Sequence, residues 1–191
     1  MNKELIVFDF DYTLAKTREC IWIWSPRGTR SFGEKRYTPV HPTTLNKRNL
    51  GDDEEINDDS FKEFYSVNIQ SANAITLSIK LFYYYINNED KYDVYIITAR
   101  PEDAKLDILS FLKKHKIKNE NIKFIGLKHS DPKVKIDTIK KIINDNGYGR
   151  MSIYEDNLFI INNIDKAINC DINKYYVETE TKKERITLYE Q

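Results

Sequence analysis

Apolar residues along this 191-residue chain follow two alternating rhythms. Short runs rich in β-branched and aromatic residues predict strands at about 4–9, 92–97, 122–126, 150–155 and 174–178, with a last strand near 185–189. Between them, apolar positions recurring every three or four residues predict helices over roughly 69–87, 102–115, 133–145 and 157–168. Ile75, Ile79, Phe82 and Ile86 form one such stripe, and Ala104, Ile108 and Phe111 another; both read as core-facing. Asn146-Gly147-Tyr148-Gly149 ends the third helix and turns the chain into the fourth strand. Strands alternating with helices imply parallel neighbours, because a parallel crossover is long and is usually taken by a helix. The expected fold class is α/β: a doubly wound, mostly parallel Rossmann-like sheet, with residues 1–191 as one domain.

The stretch 15–68 breaks the rhythm and reads as a small insertion after the first strand. Cys20-Ile21-Trp22-Ile23-Trp24 alternates with period two and runs into the turn sequence Ser25-Pro26-Arg27-Gly28, which predicts a flap hairpin. Thr38 to Asp59 carries Pro39, Pro42 and an acidic run, and is expected to form an extended loop with little regular structure. Charge is segregated here, with eight basic and two acidic residues from Lys16 to Arg48 and seven acidic and one basic from Asn49 to Glu63. Two solvated faces that neutralise each other account for this pattern. The functional reading is that Trp22, Trp24, Phe32 and Tyr37, interleaved with Arg27, Arg30, Lys35 and Arg36, stack on a base and pair with phosphates.

Composition narrows the classes. Thirty basic and thirty acidic residues give a net charge of zero, which argues against a protein that coats nucleic acid through bulk electrostatics. Cys20 and Cys170 stand in no metal-binding spacing and read as reduced thiols. The chain enters its first strand directly after Met1-Asn2-Lys3-Glu4, without a charged-then-apolar leader, and no apolar run is long enough to cross a bilayer. The expectation is a soluble cytoplasmic protein with no membrane association and no obligate protein partner.

The candidate chemistry sits where predicted strands run out. Asp9 and Asp11 follow Leu5-Ile6-Val7-Phe8. Ligands collect at the carboxyl ends of parallel strands, and a carboxylate pair there can bind a metal and attack an electrophile. Thr98 and Arg100 close the run that begins at Tyr92. Asp131-Pro132 opens a helix whose apolar stripe is Ile136, Ile139 and Ile143, with Lys133 and Lys135 in its first turn. Cations at the positive end of a helix are misplaced unless an anion meets them. Met151-Ser152-Ile153-Tyr154 ends in Glu155-Asp156-Asn157. His41, His115 and His129 are scattered and earn no ligand or general-base role.

Strand plus Asp-x-Asp-x-Thr, strand plus Thr, helix plus Lys, and strand plus Glu-Asp, in that order from Asp9 to Asp156, resemble the four motifs of the haloacid dehalogenase (HAD) superfamily. The second aspartate is similar to the phosphatase branch. Phe8-Asp9-Phe10-Asp11-Tyr12-Thr13-Leu14 and Thr98-Ala99-Arg100 look most like small HAD proteins of phages and large viruses, and distantly like the phosphatase half of polynucleotide kinase-phosphatases. A viral source would place the protein in the host cytoplasm.

The resemblance implies that Asp9 is a nucleophile forming an aspartyl-phosphate, that Asp11 acts as acid and then base, and that Thr98 donates to a phosphoryl oxygen. It implies a lysine that offsets phosphoryl charge; Lys135 fits its spacing better than Lys133, because Ile139 and Ile142 follow it. It also implies Mg²⁺ held by Asp9, the main-chain carbonyl of Asp11, Asp156 and Glu155. Thr13 and Arg100 join Trp22, Trp24 and Arg27 as candidate substrate contacts, with Thr13 also suited to bracing the loop. Tyr12 replaces a glycine common in this loop, and Glu155-Asp156 replaces the commoner pair of aspartates.

The function expected is a Mg²⁺-dependent phosphomonoesterase acting on a nucleotide, a nucleic-acid end or a phosphoprotein. A capped phosphatase for sugar phosphates or mononucleotides, and a catalytically inactive binding module, are the competing readings.

Overall fold

The computed structural model describes residues 3–17, 21–32, 35–40, 51–56, 69, 72–118, 121–129, 131–179 and 184–189, and the chain divides into two compact units, residues 18–68 and the remainder. The larger unit is organised by β1 (Glu4–Phe8), whose Leu5, Ile6, Val7 and Phe8 are all buried because the strand is covered on both faces. β1 pairs in parallel with β8 (Tyr92–Thr98) on one side and β10 (Arg150–Glu155) on the other. β9 (Lys123–Gly126) extends the sheet beyond β8, while β11 (Asp171–Glu178) and the antiparallel β12 (Arg185–Leu188) extend it beyond β10. The order is β12-β11-β10-β1-β8-β9. The chain therefore moves outward from β1 to β9 and then crosses back to β10, so the space between the ends of β1 and β10 is the topological switch point of the sheet.

Period-two alternation along β1 divides the core. Ile6 and Phe8 belong to one cluster with Phe82 and Ile86 of α1 (Thr76–Ile86) and Ile108, Phe111 and Leu112 of α2 (Lys105–Lys114). Leu5 and Val7 belong to the other, with Ile136, Ile139 and Ile143 of α3 (Pro132–Asn146) and Ile160, Ile161 and Ile164 of α4 (Leu158–Ala167). At roughly 1.5–3 kcal/mol for each fully buried aliphatic or aromatic side chain, these faces hold the strand ends firmly enough to carry buried charge there. Gly147 closes α3 at φ 68°, accepting the left-handed conformation that a residue with a Cβ resists. Among the described residues no helix is long and apolar enough to cross a membrane. Cys170 is a free thiol, and Cys20 lies outside the described residues.

The expected helix starts need correction. The first helix does not span 69–87: α1 begins at Thr76, because β7 (Asn73–Ala74) pairs with β2 (Ala15–Lys16) and the Ile75 N–H donates to the Leu14 carbonyl. A pairing between residues so far apart in sequence outweighs the local helical periodicity. The second helix is likewise preceded by a 3₁₀ turn at Glu102–Ala104.

In the smaller unit, β3 (Ile21–Trp24), β4 (Arg30–Phe32), β5 (Lys35–Val40) and β6 (Glu55–Ile56) form an antiparallel sheet in the order β4-β5-β3-β6. The Ser25–Gly28 turn is present, with the Gly28 N–H donating to the Ser25 carbonyl. The strand that returns on β3 is nevertheless β5, not the segment directly after the turn, with Trp24 opposite Tyr37 and Ile23 opposite Thr38. Thr38–Val40 and Glu55–Ile56 are thus strand rather than the expected loop; residues 41–50 and 57–59 of that loop lie outside the described residues. Pro39 is tolerated because β4 pairs with β5 only as far as Tyr37.

Gly126 ends β9 where the chain passes closest to its neighbour. A Cβ there would meet the Pro101 carbonyl carbon at 2.3 Å and the Glu102 nitrogen at 2.4 Å. Gly126→Ala must therefore push the backbone that follows Arg100, and is expected to cost about 1–3 kcal/mol. Gly149→Ala, whose Cβ meets nothing within 4 Å, is the control and should stay within about 0.5 kcal/mol. Urea unfolding of both variants checks this; equal midpoints would show that the 101–102 loop yields freely.

Candidate functional site

Hydrogen bonding carries β1 one residue past Phe8, where the Asp9 N–H donates to the Tyr154 carbonyl at 3.1 Å, and the chain then folds into a tight turn. The Phe10 carbonyl accepts from Leu14 and Ala15 at 2.9 and 3.0 Å, and the Tyr12 N–H donates to the Ala15 carbonyl at 2.7 Å. Tyr12 takes the left-handed conformation at φ 57°, which is unfavourable for a residue with a Cβ. Its side chain is buried and its hydroxyl donates to the Thr17 carbonyl, an anchor that a glycine at this position would lack. Asp9 and Asp11 both stay buried at the start of this turn. Thr13 is also buried, and its hydroxyl has no hydrogen-bond partner among the described residues, so its side chain does not brace the loop as expected.

Lys135, one turn into α3, points inward. Its Nζ donates to Asp9 Oδ1 at 2.6 Å and to Glu155 Oε2 at 2.9 Å. Lys133 is exposed, so the structure brings Lys135 among the carboxylates. The Asp131 cap on the Lys133 N–H and the burial of Ile136 and Ile139 set that rotation of the helix. Glu155 is buried and uses both oxygens, with Oε1 accepting the Asn157 N–H at 3.1 Å. Thr98 is buried at the end of β8, and its Oγ1 accepts the Arg100 N–H at 3.2 Å.

One carboxylate oxygen from each of Asp9, Glu155 and Asp156 lies within 4.8 Å of the others. These are hard oxygen donors, and three carboxyls face a single ammonium, so the donor set and the local charge both fit a hard divalent cation. The strain of assembling them shows in their proton affinities. Burial pushes the Asp9 carboxyl up to about 7; Lys135 opposes the shift, while Glu155 and Asp11 add to it. Burial and then the charges of Glu155 and Asp9 hold Asp156 well above the usual carboxylate range. Burial works against the Lys135 ammonium, but Asp9 and Glu155 outweigh it and hold its pKa above that of an ordinary lysine.

Asp11 belongs to a second set of contacts. Arg100 Nη2 donates to its Oδ1 at 2.8 Å, Arg100 Nε to its Oδ2 at 2.9 Å, and the Thr17 hydroxyl to Oδ1 at 2.8 Å. Arg100, expected to meet substrate, is instead wholly buried (0% exposed), as a cation this deep requires a fixed counter-charge. Thr17 was not foreseen; no periodicity or motif marks a hydroxyl six residues after Asp11. Trp24 and Arg27 belong to the other unit: Trp24 is half-buried, and Arg27 is exposed in the turn after β3. Trp22 lies opposite Pro39 in that sheet, and its side chain is outside the described residues.

No family model matches this chain, and no curated protein matches it. Among solved structures it is similar to the crystal structure of the Legionella pneumophila effector Ceg4 with an N-terminal TEV protease cleavage sequence, at 14% identity over 92% of this chain and 87% of that chain, with a TM-score of 0.46. A likeness of that depth carries no information on function.

Proposed function

We propose that this protein is a HAD-type phosphomonoesterase that works through an aspartyl-phosphate on Asp9. The observation that carries the reading is Lys135 joining Asp9 and Glu155 at the switch point of a parallel sheet, with Asp156 alongside. A buried aspartate with a fixed ammonium on one oxygen is suited to attack an electrophile with the other, and the positive charge offsets repulsion from an incoming phosphate.

In the first displacement Asp9 Oδ2 forms a bond to phosphorus as the bond to the leaving oxygen breaks, and that oxygen takes a proton from Asp11. In the second, Asp11 takes a proton from water, the water oxygen bonds to phosphorus, and the aspartyl bond breaks to restore Asp9. Thr98, whose Oγ1 already accepts the Arg100 N–H, keeps its own hydrogen for a phosphoryl oxygen. Asp9, Asp156 and the main-chain carbonyl of Asp11 would hold Mg²⁺, with Glu155 holding Lys135 as its main task. When bound, the metal supplies charge neutralisation at the phosphoryl oxygens.

The substrate class we assign is a nucleotide, a nucleic-acid end or a phosphoprotein, met in the cytoplasm. The smaller unit supports this choice: Trp24 stands beside Tyr37 in the sheet, and Arg27, Lys35 and Arg36 are exposed. A half-buried tryptophan with exposed cations in the same sheet and turn suits a base and its phosphates. The test is hydrolysis, with Mg²⁺, of p-nitrophenyl phosphate, nucleotides, 3′- and 5′-phosphorylated oligonucleotides, phosphopeptides and sugar phosphates. Turnover of none would sink the reading; turnover of sugar phosphates alone would favour a capped small-molecule enzyme. If the oligonucleotide is a substrate, Trp24→Ala should raise its KM by about tenfold, in keeping with about 1–3 kcal/mol for a stacked base. The KM for p-nitrophenyl phosphate should not move, and an equal change for both esters would make Trp24 a packing residue.

A further inference from the structure

Arg100 delivers its guanidinium from a backbone that is held on three sides. Its N–H donates to Thr98 Oγ1 at 3.2 Å, its carbonyl accepts the Lys128 N–H at 3.2 Å, and Pro101 bridges to Leu127. The close approach at Gly126 locks the next residues in place. From that base the side chain passes the Phe10 ring, with Cζ 5.8 Å from its centroid, and meets both oxygens of Asp11. Its Nε and Nη2 donors are both spent on the Asp11 oxygens. Arg100 exposes none of its surface.

We infer that Arg100 is a positioning residue for Asp11, acting on the reaction through that carboxylate rather than by touching substrate, and that Thr17 shares the task. The inference rests on the phosphomonoesterase reading, in which Asp11 must face first the leaving oxygen and then the attacking water. A carboxylate with free rotation would meet neither reliably; a forked guanidinium on both oxygens plus a hydroxyl on Oδ1 leaves it one orientation. Displacing a reacting group by about 1 Å can cost on the order of a hundredfold in rate, which sets the size of the expected effect.

The experiment compares wild type, Arg100→Lys, Thr17→Val, Asp11→Asn and the Arg100→Lys/Asp11→Asn double variant on aryl and alkyl phosphates with Mg²⁺. Arg100→Lys keeps the charge but loses the fork; it should lower kcat by about a hundredfold for alkyl esters and less for p-nitrophenyl phosphate, with KM within about twofold. Thr17→Val, nearly isosteric and leaving the ion pair intact, should show the same pattern at about tenfold. In the Asp11→Asn background, Arg100→Lys should cost no more than about twofold further, because the group it positions is gone.

A rise in KM with kcat unchanged, or a double variant that loses the full product of the two single effects, would overturn the inference while leaving the phosphomonoesterase reading in place. Wild type that hydrolyses no ester overturns both. Should Arg100→Lys fail to fold, Thr17→Val decides: a kcat loss graded with leaving group supports the inference, and unchanged kinetics overturn it.

Discussion

Asp9→Asn is expected to abolish turnover of p-nitrophenyl phosphate at saturating Mg²⁺, by about 10⁴-fold or more, while the protein remains folded. The amide keeps the shape of the side chain and a partner for Lys135, but offers no nucleophilic oxygen anion and a poor metal ligand. The folded state should in fact benefit in the metal-free protein. Burial raises the Asp9 carboxyl from 3.8 to about 7, so the folded protein holds a proton there that the unfolded chain has already lost. The stability contributed by the protonated carboxyl is fully present below about 3.8 and is lost as pH rises through about 7. Asn does not titrate, so the variant should melt above wild type at pH 8, with the gap closing toward pH 4. Thermal unfolding across that range, alongside the assay, checks both halves. Full activity in the variant would end the covalent mechanism; a lower melting temperature at pH 8 would mean that the Lys135 ion pair outweighs the burial of charge.

Chelation of divalent metal is expected to reduce turnover to background, and Asp156→Ala to raise the Mg²⁺ concentration needed by about a hundredfold, well beyond the change for Glu155→Gln. The structure separates the two acids. Glu155 spends one oxygen on Lys135 and the other on the Asn157 N–H, so its loss should act on kcat by releasing Lys135. Asp156 holds neither of those contacts; its carboxyl hydrogen-bonds to Glu155 and offers an oxygen to the proposed metal site. Binding must also displace protons, since Asp9 and Asp156 are both raised in the metal-free protein. Below about pH 7, Mg²⁺ affinity should climb about tenfold per pH unit for each proton displaced, and calorimetry in buffers of different ionisation enthalpy should register proton release. A greater Mg²⁺ requirement in Glu155→Gln than in Asp156→Ala would reverse the ligand assignment, and affinity independent of pH would contradict the raised carboxyls.

The strands that carry the site were readable because burial on both faces leaves a continuous apolar run. The expected 4–9, 92–97 and 150–155 correspond to Glu4–Phe8, Tyr92–Thr98 and Arg150–Glu155. The polar residues that end those runs could be picked out for the same reason, since a carboxylate or hydroxyl directly after a buried strand stands where the chain leaves the core. Helical stripes were equally local signals: Phe82 and Ile86, Ile108 and Phe111, and Ile136 and Ile139 all face the core.

Other features depended on partners far away in the chain. Asn73–Ala74 reads as helix until Ala15–Lys16 takes it into a ribbon, and Thr38–Val40 reads as loop until Ile21–Ile23 pairs with it. Lys133 and Lys135 share the first turn of a helix, and motif spacing alone favours the second; packing of Ile136 and Ile139 turns Lys135 toward Asp9, 126 positions away. Arg100 illustrates the limit most clearly. An arginine after a strand looks like a hand extended to substrate, and only the tertiary structure shows it closed on Asp11, 89 positions earlier. Local periodicity reports which side of an element is apolar; it carries no information on which buried charge answers which, because that is settled by distance and desolvation after the sheet has assembled.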